Sequence, residues 1–154
     1  MFIAVMKTVC RNFAFYCIKS PIKSLKLSFF HSFNIRHSFD CSTREVIYAL
    51  TCLKCGMLYI GETGDRLGKR FRDHVRDVQK KRTDRTVSIH FNDCCDGNVD
   101  NMAIRGLLTV HGVRNRKLKE ISIIKQLNSL IPFGMNKEDD SWKKATDMIM
   151  ISDM

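Results

Sequence analysis

The sequence predicts a small α+β domain: a short, mostly antiparallel sheet of about three strands flanked by helices, in the order β-β-α-α-β-α. Three observations predict it. Two apolar runs, Val46-Ile47-Tyr48-Ala49-Leu50-Thr51 and Met57-Leu58-Tyr59-Ile60, flank Leu53-Lys54-Cys55-Gly56, which has the composition of a turn. Apolar residues then recur at helical spacing over 66–80 and 115–130. A third run of strand character, 102–110, lies between those helices. A chain of 154 residues has room for one modest domain plus an arm or tail. A core of that size stands without staples, though with only a few kcal/mol to spare.

After the hairpin, Glu62-Thr63-Gly64-Asp65 leads into the first helix. On a helical wheel Leu67, Phe71, Val75 and Val78 fall on one side, and Lys69, Arg72, Arg76 and Lys80 on the other. His74 lies amid the apolar stripe and Arg70 at its edge. A guanidinium leaning towards a core needs a carboxylate, a phosphate or a carbonyl to satisfy it. A short second helix is expected over 86–91 and a loop at Asp96-Gly97-Asn98. The last helix ends before Pro132. There Ile123, Ile124, Leu127 and Ile131 follow Glu120 at spacings of three, four, seven and eleven, which puts Glu120 near the centre of the apolar arc. A buried, unpaired carboxylate would cost several kcal/mol, so it needs a cation or a metal. Periodicity leaves two partners even: an internal ion pair with Arg70, or a metal facing an arginine across a phosphate site.

Residues 1–40 differ from the rest. They hold seven of the ten Phe, six Lys or Arg and one acid, Asp40, with no helical or strand periodicity. A poorly ordered extension is expected there, followed by a domain over 41–136 and a net acidic tail over 137–154. The extension is also basic, Ser-containing and nearly acid-free, as mitochondrial presequences are, but it lacks an amphipathic stripe. Mispredicted upstream coding sequence is a further alternative. Lys7, Arg11 and Lys19 interrupt the apolar start well short of a membrane span. Without a secretory segment the seven cysteines are expected to be thiols or metal ligands inside the cell, not a disulfide framework.

With 26 Lys plus Arg against 16 Asp plus Glu, the formal charge is +10, which suits a polyanion. The charge is concentrated. Nine basic residues fall between Arg66 and Arg85, and a second group holds Arg114, Arg116, Lys117 and Lys119. That pattern favours a nucleic-acid partner over general solubility, with Lys69, Arg72, Arg76, Lys80, Lys81, Arg82, Arg114, Arg116 and Lys117 as candidate contacts. A membrane-surface role would need an amphipathic periodicity that the basic aromatic arm lacks.

The stretch from about Val46 to Asn136 resembles the GIY-YIG nuclease superfamily, named for two strand motifs that here read Val46-Ile47-Tyr48 and Tyr59-Ile60-Gly61. The family's L-x-x-R-x-x-x-H is matched by Leu67, Arg70 and His74, and its E-x-x-x-I-x-x-L by Glu120, Ile124 and Leu127. A terminal asparagine, Asn136, follows a Pro/Gly turn. Each motif alone is weak; five in order are strong. Val46 replaces the first glycine, a backbone residue and not a chemical one. The segment from Val46 to Thr63 looks specifically like the endonucleases of Penelope-like retroelements, in which a valine at this point and a cysteine pair between the tyrosine motifs are familiar.

The resemblance implies hydrolysis of a phosphodiester. Tyr48 would orient or deprotonate the attacking water, supported by Tyr59 and His74. Arg70 would hold a non-bridging oxygen. Glu120 would ligate Mg²⁺ or Mn²⁺, hard cations that prefer oxygen. Asn136 would shape the site or touch substrate. Cys52 and Cys55 on the hairpin turn present two thiolates to one metal, and His90 with Cys95 would complete a structural zinc site, Cys94 or Cys41 being the alternatives. The related retroelement nucleases have a Cys/His zinc motif here. The expected protein is therefore a metal-dependent DNA endonuclease of retroelement origin, intracellular and nuclear. The alternative is a zinc-stabilised nucleic-acid-binding module that has lost cleavage.

Overall fold

The computed structural model describes residues 38–138 and Trp142, together with the strands β1 (Thr8–Cys10), β2 (Phe13–Phe15), β3 (Ser24–Ser28) and β4 (His31–Asn34). Those four strands form two short antiparallel hairpins, β1 with β2 and β3 with β4. The rest of the expected extension and most of the expected tail lie outside the described residues.

The domain is built on one antiparallel sheet in the order β6-β5-β7, with β5 (Val46–Cys52) in the centre, β6 (Leu58–Thr63) on one side and β7 (Met102–Thr109) on the other. Helices α1 (Leu67–Gln79), α2 (Thr86–Cys95) and α3 (Val113–Gln126) complete the expected β-β-α-α-β-α order. Alternation along β5 divides the core in two. Val46, Tyr48, Leu50 and Cys52 face α1 and α2, meeting Leu67, Phe71, Val78, Val87 and Phe91. Ile47 and Ala49 face α3, meeting Ile121, Ile123, Ile124 and Leu127. The register of β7 slips between its pairings with Ile47 and Tyr48. Alternation puts Met102 and Ile104 on the α1 side and Leu107 on the α3 side, and the bulge brings Leu108, opposite Ile47, to the α3 side as well.

Several boundaries move for local reasons. β6 runs to Thr63, past the expected Ile60, because Gly61, Glu62 and Thr63 pair with Tyr48, Ile47 and Val46. α2 runs four residues past the expected end, to Cys95, and stops where Asp96 turns left-handed at φ 52°. α3 starts at Val113 and ends at Gln126, before the expected 130, since Asn128 adopts φ 49°. The chain then folds back along the outer edge of β6. Met135 donates its N–H to the Leu58 carbonyl at 2.8 Å, and the Asn136 amide pairs with both backbone groups of Ile60 at 2.8 Å. An open strand edge is thereby covered.

Packing also reaches past 41–136 on both sides. The Phe39 ring occupies the space above Gly106, where a Cβ would collide with it. Trp142 is buried with the α3 cluster, with Lys125 Nζ 5.2 Å from its ring centroid. No helix among the described residues is long and apolar enough to cross a membrane.

Tyr48 lies between two glycines, paired with Gly61 on β6 and Gly106 on β7. A Cβ on Gly61 would run into the Tyr48 hydroxyl and ring, and would stand 2.8 Å from Cε1 of Tyr59. Gly61→Ala is therefore expected to destabilise the domain by about 1–3 kcal/mol through overpacking, read as a lower urea midpoint at unchanged slope.

Candidate active site

Tyr48 projects from the central strand into the layer beneath α1, fully buried. Its hydroxyl has two neighbours from that helix. Arg70 Nε donates to it at 3.0 Å, and His74 Nε2 lies 2.8 Å away. Arginine has only donors, so the phenol oxygen accepts from Arg70, and His74 Nε2 is the acceptor within reach of the phenol proton among the described residues. The imidazole is then neutral. Burial, with the positive charges of Arg70 and Arg85, holds the His74 pKa down to about 3, in keeping with that assignment. Burial is also the main reason that Tyr48 and Tyr59 are pushed well above the ordinary phenol range. Both tyrosines are thus neutral.

Tyr59, on the neighbouring strand, sets its ring 6.4 Å from that of Tyr48 and 5.5 Å from that of His74. It opens onto a cleft of about 630 Å³ that Arg70, His74 and Glu120 also line. Glu120 has the angular position on α3 that its spacing predicts, but it faces this cleft, half-buried, instead of the core. Among the described residues no Arg70–Glu120 ion pair forms, because Arg70 turns its Nε to Tyr48. Burial, together with the charge of Glu62, pushes the Glu120 carboxyl up to about 7. A carboxylate short of cationic partners at the mouth of a polar cleft suits a hard divalent cation.

The GIY-YIG catalytic domain profile matches residues 44–138, well over half of the chain. The chain belongs to the GIY-YIG family. It is a nuclease of that type. The catalytic domain of homing endonuclease I-TevI superposes with a TM-score of 0.52, at 23% identity, covering 61% of this chain and 98% of that domain, and so shares the fold. No curated protein matches the sequence.

In this GIY-YIG domain Asn136 lies in the cleft wall, buried, with its polar groups committed. Its Oδ1 accepts from Ile60 N–H and from Ser129 Oγ, each at 2.8 Å, and its Nδ2 donates to the Ile60 carbonyl. It therefore shapes β6 between Tyr59 and Gly61; that leaves little of the amide for substrate.

Arg116, expected on a DNA-facing surface, is instead 4% exposed. Its Nε donates to Glu62 at 2.8 Å and its Nη1 to Glu45 at 3.2 Å, a buried arrangement that ties the start of α3 to the ends of β5 and β6. The sequence hint was its place four residues before Glu120, on the same face of the helix. Lys80, Lys81, Arg72, Arg114 and Lys117 are exposed as expected, Lys117 at the cleft. Lys69, Arg76 and Arg82 are exposed too, but paired with Asp65, Asp73 and Asp84.

The hairpin turn and α2 bring together Cys52, Cys55, His90 and Cys94, with their ligand atoms all within 4.8 Å of one another. This Cys₃His set could hold a tetrahedral ion such as zinc. The fourth member is Cys94 and not Cys95. Because α2 continues through both, Cys94 shares a face with His90 four residues earlier, while Cys95 follows Phe91 into the core. Cys41 lies elsewhere, against Gly68 at the start of α1. Burial pushes the Cys95 thiol up to about 12, and its Sγ stands 3.5 Å from Cys52 Sγ, where it can donate to a thiolate. Burial also lowers the His90 pKa, leaving the neutral ring that metals bind. Elemental analysis should therefore find about one zinc per chain in the wild type and in Cys95→Ser, and loss of it in Cys94→Ser.

Proposed function

We propose that this domain is a metal-dependent DNA endonuclease derived from a Penelope-like retroelement and acting in the nucleus. The observation that carries it is the Tyr48 hydroxyl held between Arg70 and His74 beside the cleft that Glu120 lines. The net charge of +10 and the exposed basic run along α1 favour a DNA substrate. The cysteine pair on the hairpin between the two tyrosine motifs, gathered with His90 and Cys94, favours the retroelement branch and a structural zinc. A carboxylate placed among Arg70 and Lys117 weakens phosphate binding, so a module selected only to bind DNA has no use for Glu120.

Glu120 would hold Mg²⁺ or Mn²⁺, which supplies charge neutralisation on the phosphate and its leaving oxygen. The protein's own groups then act on the attacking water. Arg70 spends Nε on Tyr48 and keeps its terminal nitrogens for a non-bridging oxygen. The Tyr48 hydroxyl is buried behind the cleft lining, so the attacking water has to be admitted to it as substrate binds. As that water forms its bond to phosphorus, its proton passes to the Tyr48 oxygen while the Tyr48 proton passes to His74 Nε2. The leaving oxygen departs with the P–O electron pair and takes a proton from solvent. This relay avoids a free tyrosinate, which burial makes costly. A bound phosphate also offsets the two arginine charges that hold the His74 pKa down.

Plasmid nicking is expected with Mg²⁺ or Mn²⁺ and not in EDTA. Glu120→Ala and Arg70→Ala should each lower the rate by at least about 10²-fold while DNA binding measured by fluorescence anisotropy persists. Equal cleavage by the wild type and both variants would sink the assignment.

The pH profile follows from Glu120. Protons and metal compete for a carboxyl that titrates near about 7, so at subsaturating metal the rate should rise as pH passes upward through that value. Raising Mg²⁺ should move the rise to lower pH; a profile insensitive to metal concentration would remove Glu120 from the metal site.

A further inference from the structure

Of the basic residues near the cleft, Arg85 is placed unlike the others. The first turn of α2 and Arg85 itself form one wall of the cleft, and Lys117 and Glu120 of α3 the opposite wall. Tyr59, Arg70 and His74 lie between. Its neighbour Arg82 engages both oxygens of Asp84, at 2.8 and 2.7 Å, leaving Arg85 Nε a longer 3.6 Å approach to the same carboxylate. The Arg85 side chain is 58% exposed, while its backbone is fixed: its carbonyl accepts the Ile89 N–H at 3.0 Å. The guanidinium is therefore a charge on an anchored base with a free reach into the cleft. It stands close enough to His74 and Tyr59 for its charge to act on both.

The scissile phosphate is already provided for by Arg70 and Glu120. A cleft of about 630 Å³ falls within the roughly 300–1,000 Å³ that drug-sized ligands fill, more than one phosphate needs. Substrate must therefore continue along it, and the next group of a DNA strand that offers charge is the neighbouring phosphodiester. A planar, permanently charged fork suits that group better than a lysine.

We infer that Arg85 forms a second phosphate subsite, holding the phosphodiester next to the one that is cut and so setting the position of the strand over Tyr48. This rests on the nuclease reading of the cleft. Arg85 touches no reacting atom; it is a binding residue that positions the strand.

The test compares the wild type with Arg85→Ala and Arg85→Lys. First, binding of a short DNA duplex is measured in EDTA over a range of salt. Loss of one phosphate contact should lower the slope of log K against log salt by about 0.9 in Arg85→Ala and much less in Arg85→Lys. Second, with metal, Arg85→Ala should raise KM, and Arg85→Lys should raise it much less. Third, substrates carry a single neutral methylphosphonate linkage at varied positions. The wild type should fail to cut the bond one step to one side of that linkage, and Arg85→Ala should show no such gap. An unchanged salt slope in Arg85→Ala, or a gap identical to that of the wild type, overturns the subsite. If the wild type binds with the predicted slope change yet never cuts with any metal, the nuclease reading falls and the phosphate contact stands. If it neither binds nor cuts, both fall.

Discussion

The Tyr48 hydroxyl is fully buried, and a buried hydroxyl left without partners would cost about 1–3 kcal/mol. Both of its partners come from α1, so satisfying this one group fixes the helix against the central strand at the level of Arg70 and His74. The same bonds order the protons: Arg70 can only give, and His74 Nε2 is the acceptor in reach of the phenol proton. Structure and chemistry are here one constraint. It also explains the absence of a side chain at Gly61, because the tyrosine already fills that volume.

The second wall of the cleft is set by a different buried charge. Taking the Arg116 guanidinium out of water is costly, and it is tolerated because carboxylates at the start of β5 and the end of β6 converge on it. The arrangement sets the rotation and depth of α3 against the sheet. Glu120, one turn on, is carried to the cleft by that rotation. α1 and α3 therefore answer to the same two strands from opposite faces, and Arg70 and Glu120 are held apart across the opening without needing to touch.

Local patterns made much of this legible. The apolar run over 46–51 marked the central strand, and the apolar stripe through Leu67, Phe71 and Val78 marked α1, with His74 correctly among them. Glu120 was recognisable because a charge amid isoleucines demands a reason. What stayed hidden depends on partners far away in sequence. Arg116 looks like any member of a basic cluster until Glu45, seventy-one positions earlier, is placed beside it. The choice between Cys94 and Cys95 turns on whether α2 continues past Phe91, which no capping residue signals. Asn136 looked like a site residue; its double pairing with Ile60 becomes visible only once the chain is seen to double back along β6.

That return segment has a consequence for how the enzyme comes into being. Residues 129–136 hold the strand that carries Tyr59, yet a ribosome makes them after every other part of the cleft from Tyr48 to Glu120. A nascent chain that has already exposed its tyrosines, arginine and histidine still has an uncovered β6 edge and an unfixed cleft wall. Domains emerge from the ribosome N-terminal part first. The cleft is therefore complete only once this segment has emerged, and a chain stopped before it carries the tyrosines, arginine and histidine without the frame that holds them in place.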